Sequence, residues 1–164
     1  MTMEDILRFV HVIGATVLFG TGLGIAFFMV MAHRTGDAAK IAHVAETVVI
    51  ADAAFTATAV ILQPITGVLL AHQVGWPLTE GWVVLSVALY GVAGLFWLPV
   101  VAIQIRLRNI AREAASSGTP LPKQYHRLYR VWFAFGFPAF FAVLAIFWLM
   151  LTRSPIPIPF MASP

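Results

Sequence analysis

Val131-Trp-Phe-Ala-Phe-Gly-Phe-Pro-Ala-Phe-Phe-Ala-Val-Leu-Ala-Ile-Phe-Trp-Leu-Met-Leu151 contains no charged residue, and Arg130 and Arg153 close it at either end. At 1.5 Å of rise per residue, a helix of this length crosses a hydrocarbon core about 30 Å thick. Working back along the chain, three more apolar runs have the same character: about 6–31, 44–71 and 82–105. Backbone polar groups find no water in lipid, so each run must satisfy its own hydrogen bonds as a helix. None alternates with period two, which argues against a barrel. The expected fold is therefore all-α, a polytopic membrane protein built as a four-transmembrane-helix bundle over residues 1–153. The alternating prolines of 154–164 are expected to form an extended tail.

Composition agrees. The chain of 164 residues is 60% hydrophobic and 10% charged, with a mean hydropathy of +0.90, whereas soluble domains carry about 25% charged residues. With no cysteine, disulfides, thiolate chemistry, iron–sulfur clusters and Cys-ligated zinc are excluded. The start, Met1-Thr-Met-Glu-Asp5, lacks a basic leader region, so the first span is expected to be retained.

The pI near 9.8 suggests nucleic acid until the basic residues are located. Four spans place both termini and the 72–81 loop on one side, with Arg8 and Arg153. The other side holds Arg34, Lys40, Arg106, Arg108, Arg112, Lys123, Arg127 and Arg130. This asymmetry orients a bacterial plasma (inner) membrane protein with both termini outside the cytoplasm. Anionic lipid accounts for the charge, and no nucleic-acid partner is needed. The third helix is expected to project past the bilayer to about Glu113, since its arginines belong in water or headgroups. The loop 114–122 follows it.

Within the spans, Pro64, Pro99 and Pro138 are expected to kink their helices. Gly20 and Gly24 form a GxxxG pair, expected to pack inside the bundle, with a homodimer as the other option. Asp52 lies near a span centre, where an acid is costly and should face inward. Two readings stay open for it: an ion pair with Arg106 or Arg130, or proton transfer or contact with a polar ligand. Gln63 and Gln104 are further buried polar candidates, for which interhelical hydrogen bonds suffice.

His11 is the candidate with the most chemistry. It lies about two turns into the first span, and a buried imidazole needs partners for its N–H and its lone pair. Arg8 and Gly14 share its face. Arg8 at headgroup level could meet a haem propionate, and the glycines leave space for a flat macrocycle. Counting inward from the helix ends sets His11 level with Thr66, Gly67 and Ser86. His72 lies one to two turns shallower, a second axial ligand only if the helices tilt or shift. Copper fits this ligand set less well. The readings from residues alone are a haem-ligating histidine and a satisfied packing histidine.

Phe9-Val-His-Val-Ile-Gly-Ala15, Ala51-Asp-Ala-Ala-Phe-Thr56, Leu62-Gln-Pro-Ile-Thr-Gly67, Trp97-Leu-Pro-Val-Val101 and Tyr129-Arg-Val-Trp-Phe133 resemble an uncharacterised family of predicted four-span bacterial integral membrane proteins. More distantly, the apolar opening around His11, the small residues after it and the proline in the last span resemble HemJ-type protoporphyrinogen oxidases and the related copper-resistance membrane proteins. That resemblance implies haem b with His11 as an axial ligand. It departs where the HemJ pattern has a lysine early in the third span: Ser86 stands there, which puts protoporphyrinogen oxidation in doubt.

The leading expectation is a b-type haem-binding protein with an electron-transfer or oxidoreductase role, served by a quinol or a porphyrinogen from the lipid. The alternatives are a cofactor-free accessory or assembly subunit of a larger membrane complex, and a small-solute or metal transporter using Asp52.

Overall fold

The computed structural model describes residues 2–153 together with Pro155 and Ile156. Four long helices account for nearly all of it: α1 (Met3–Arg34), α2 (Ala38–Val74), α3 (Gly81–Ser117) and α4 (Lys123–Thr152). Each is long and apolar enough to cross a membrane, and there is no strand among the described residues. Apart from Pro155 and Ile156, the extended tail expected over 154–164 lies outside the described residues.

Local chemistry sets the helix ends. Thr2 and Asp5 open α1 with a reciprocal capping box: Asp5 N–H donates to Thr2 Oγ1 at 3.2 Å and Thr2 N–H to Asp5 Oδ2 at 2.8 Å. Asp37 caps α2 by accepting from the amides of Ala39 and Lys40 at 2.9 and 3.2 Å. Those amides, Lys40 first, hold the Asp37 carboxyl below its ordinary range. With this cap α2 begins at Ala38, well before the apolar run, and the added turns bury Ile41 and Ala42. Gly75 and Gly118 end α2 and α3 in the left-handed conformation, at φ 78° and 61°. Thus α3 runs a turn beyond Glu113, to Ser117.

The helices continue through Pro64, Pro99 and Pro138. Within α2, a π turn at Asp52–Thr56 departs from α geometry. Such turns recur at functional sites.

Packing is uneven along the bundle axis. At the basic end Met29, Ile41, Ala45, Leu107, Ala111 and Tyr125 are fully buried in one cluster that joins all four helices. Alanines at Ala45 and Ala111 let α2 and α3 approach closely there. Glu46 of α2 bridges Arg108 and Arg112 of α3 at 3.8 and 3.2 Å, an exposed set that adds at most about 1 kcal/mol. Toward the termini the bundle divides into two pairs. The second half of α2 (Ala57–Val74) packs on α1 and barely touches α3, while α3 and α4 stay together. Ties across include Tyr90 Oη donating to the Val60 carbonyl and Phe19 against Phe140 and Phe147, with centroids 5.3 and 5.4 Å apart.

Gly20 and Gly24 do not pack inside the bundle. A Cβ at either would meet nothing within 4 Å. The GxxxG face looks outward, because Ile25, Met29 and Ala32 take the inward stripe of α1. Gly20→Leu should therefore change the unfolding free energy by no more than about 0.5 kcal/mol. Gly14→Leu, whose side chain would collide with the Gln63 amide, should lose about 1 kcal/mol or more. Denaturant titration in mixed micelles measures both.

Candidate functional site

His11 sits on the inward stripe of α1, eighteen residues or five turns above Met29. Met29 is fully buried, but His11 is only half-buried, because the bundle has divided by that level. Three contacts fix it to α2. Its Nδ1 lies 2.9 Å from Thr66 Oγ1, Gln63 Nε2 donates to its backbone carbonyl at 2.9 Å, and Gly67 lies against the ring. A Cβ at Gly67 would come within 3.2 Å of His11 Cε1. Gly14 likewise clears the path of the Gln63 amide. The two glycines thus serve the contact between α1 and α2.

The hydrogen bonds around Thr66 accommodate the tautomer protonated at Nδ1. Thr66 has one hydroxyl proton, and its oxygen lies 2.8 Å from the Leu62 carbonyl and 3.2 Å from that of Gln63. With that proton donated to the backbone, Thr66 Oγ1 accepts from His11 Nδ1–H. The Nε2 lone pair then remains, with no hydrogen-bond partner among the described residues. This is the form in which an imidazole ligates a metal, its other nitrogen fixed by a hydrogen bond.

The other residues expected around His11 are placed differently. Arg8 is at the surface, bonded to Glu4 one turn away. His72 is exposed at the end of α2, six residues beyond Thr66 and so roughly 120° around the helix from the face that meets His11. Ser86 is buried on α3 and donates to the Trp82 carbonyl at 2.7 Å. No group of three His, Asp or Glu residues able to hold a metal ion occurs among the described residues.

The second polar site lies deeper, at the π turn. Asp52 is 6% exposed, and its Oδ1 accepts from Trp97 Nε1 of α3 at 3.3 Å. The ion pair expected with Arg106 or Arg130 does not form: both arginines are exposed on outer faces of their helices. Gln104 is 1% exposed and accepts from Trp132 Nε1 at 3.2 Å, an α3–α4 tie.

Sequence reasoning missed Trp97 and Thr56 as the neighbours of Asp52. Thr56 carried a signal, standing four residues on; Trp97 carried none, since its approach depends on how α3 is rotated. Also missed was an aromatic stack at the basic end, where His33 lies on Tyr129 with ring centroids 3.6 Å apart and Tyr125 stacks beside it at 5.7 Å.

Four lipid-length helices with polar groups turned inward define a multi-span α-helical integral membrane protein. The chain belongs to the DUF2269 family, described as predicted integral membrane protein, whose model matches residues 5–154. No curated protein and no solved structure matches it.

Proposed function

We propose that this is a b-type haem-binding membrane protein that handles electrons, with His11 Nε2 as an axial ligand. One observation carries the reading: Nδ1 lies against Thr66 Oγ1, which holds the imidazole in orientation and leaves Nε2 without a hydrogen-bond partner among the described residues. The ring's half-burial, on a stripe that is closed at the other end of α1, supports it further. When bound, the porphyrin iron would supply the one-electron chemistry, and the protein would tune it through ligand, hydrogen bond and dielectric. Thr66 orients the imidazole and raises its basicity. Arg8, three residues before His11, would exchange Glu4 for a propionate. A quinol or a porphyrinogen entering from the bilayer suits a site embedded in lipid.

Visible absorbance of the pure protein, expressed with ample haem, tests the proposal. A Soret band lost in His11→Ala supports it, and the absence of a band overturns it. Thr66→Val keeps the side-chain shape and removes the acceptor for Nδ1. It should weaken haem retention about 10- to 100-fold, the range for loss of a partner behind a metal-bound histidine, and competition with apomyoglobin measures it.

A second reading, a cofactor-free subunit of a larger membrane complex, is favoured by the outward Gly20 and Gly24, which would let another helix approach closely. Co-purification of a stoichiometric partner from native membranes would support it.

A further inference from the structure

Asp52 is the only carboxyl group in the middle of the bundle among the described residues. Between His11 and His33, α1 has no titratable side chain, and α4 has none between Arg130 and Arg153. On α3 the stretch between Trp82 and Arg106 contains only Tyr90, whose hydroxyl is committed to the Val60 carbonyl. On α2 the neighbouring charge is Glu46, one and a half turns away and held by Arg108 and Arg112. A buried carboxylate without a cation is too costly to persist in hydrocarbon. No basic side chain among the described residues reaches this one.

The π turn supplies a second oxygen. Asp52 and Thr56 stand at its two ends, and a wide turn of this kind brings them to the same face. Thr56 is 5% exposed, and its Oγ1 has no hydrogen-bond partner among the described residues. A threonine in a regular helix returns its hydroxyl to the carbonyl four residues back, as Thr58 and Thr66 do here. At Thr56 that carbonyl is Asp52 O, which accepts the Ala57 amide across the π turn. Trp97 occupies one carboxyl oxygen only, Oδ1. Oδ2 and Thr56 Oγ1 thus offer two hard oxygen donors on one face of α2, beside a single acidic group.

We propose that Asp52 and Thr56 form an intramembrane site for a monovalent cation, taken up as a proton or a sodium ion, with Trp97 orienting the carboxyl. One charge matches one carboxylate, whereas a divalent ion would ask for more acidic ligands than this site has. Broken helical geometry beside a carboxylate is also how membrane proteins build cation sites near the midplane. The site needs no haem, and it stands or falls apart from His11.

Infrared spectroscopy and thermal unfolding of the full chain in nanodiscs, with sodium or choline as the only cation, test this. The reference spectra are taken in choline at neutral pH. A carboxylic-acid C=O band present in the parent protein and missing in Asp52→Asn identifies the proton. The asparagine amide keeps a carbonyl for Trp97, so the variant retains the helix contact. Loss of that band as sodium rises, with sodium-dependent stabilisation that Asp52→Asn lacks, identifies the sodium ion. Thr56→Val should shift the band to the frequency of an unbonded acid, or weaken the sodium effect about tenfold. The proposal is overturned if neither an Asp52-dependent band nor Asp52-dependent sodium stabilisation appears, or if Thr56→Val alters neither.

Discussion

Purified His11→Ala is expected to carry no Soret absorbance under conditions in which the parent protein carries a full complement. The size of this effect follows from what the substitution removes. Among the described residues, His11 alone presents an unbonded imidazole nitrogen on the inward stripe at that level of the bundle, and His72 points away from it. No nearby side chain can take over ligation, so loss should be near complete rather than graded. The fold should survive. His11 is half-buried, its backbone carbonyl still accepts from Gln63, and Thr66 keeps its backbone acceptors. An unchanged helical circular dichroism spectrum beside a missing Soret band is thus the expected pair. A band that persists in the variant would assign the haem elsewhere and remove His11 from the site.

Leu107→Ala is expected to give the largest loss of stability, about 2–5 kcal/mol by the range for a buried leucine truncated to alanine. Leu107 is fully buried at the basic end, packed in the cluster that includes Met29, Ile41, Ala111 and Tyr125. Between helices in lipid, association depends on close packing more than on escape from water, so the cavity itself is the main source of the loss. The divided end has no comparable layer: among the described residues only Trp82, Val83 and Leu149 form a buried cluster there. Leu95→Ala, at a side chain 69% exposed, is the control and should change little. Unfolding by SDS titration reads both variants.

Depth along each helix was legible in the sequence, and rotation about it was not. Hydropathy located four spans because lipid imposes length and composition together. The arginines at 106, 108 and 112 pointed to a third helix longer than its apolar run, but its end, expected near Glu113, lies at Ser117, where Gly118 caps it. Counting inward set His11 level with Thr66 and Gly67, which is where it lies. The same counting could not show that Arg106 faces outward while Trp97 faces Asp52, nor that Gly20 and Gly24 point away from the bundle. Those outcomes depend on which stripe of each helix wins the core, and in an almost wholly apolar chain many stripes compete. The π turn was hidden for another reason. Ala51-Asp-Ala-Ala-Phe-Thr56 contains no glycine or proline, and so carries no mark of irregularity.

Because the two helix pairs are joined firmly at one end and only tied at the other, the molecule resembles a pair of tongs, with the first turn of α1 and the last turn of α4 on the handles. A mechanical load applied to those ends is felt first by Tyr90 and Phe19, and only afterwards by the rivet around Leu107. Each hairpin, α1 with α2 and α3 with α4, would then come out of the bilayer as a unit.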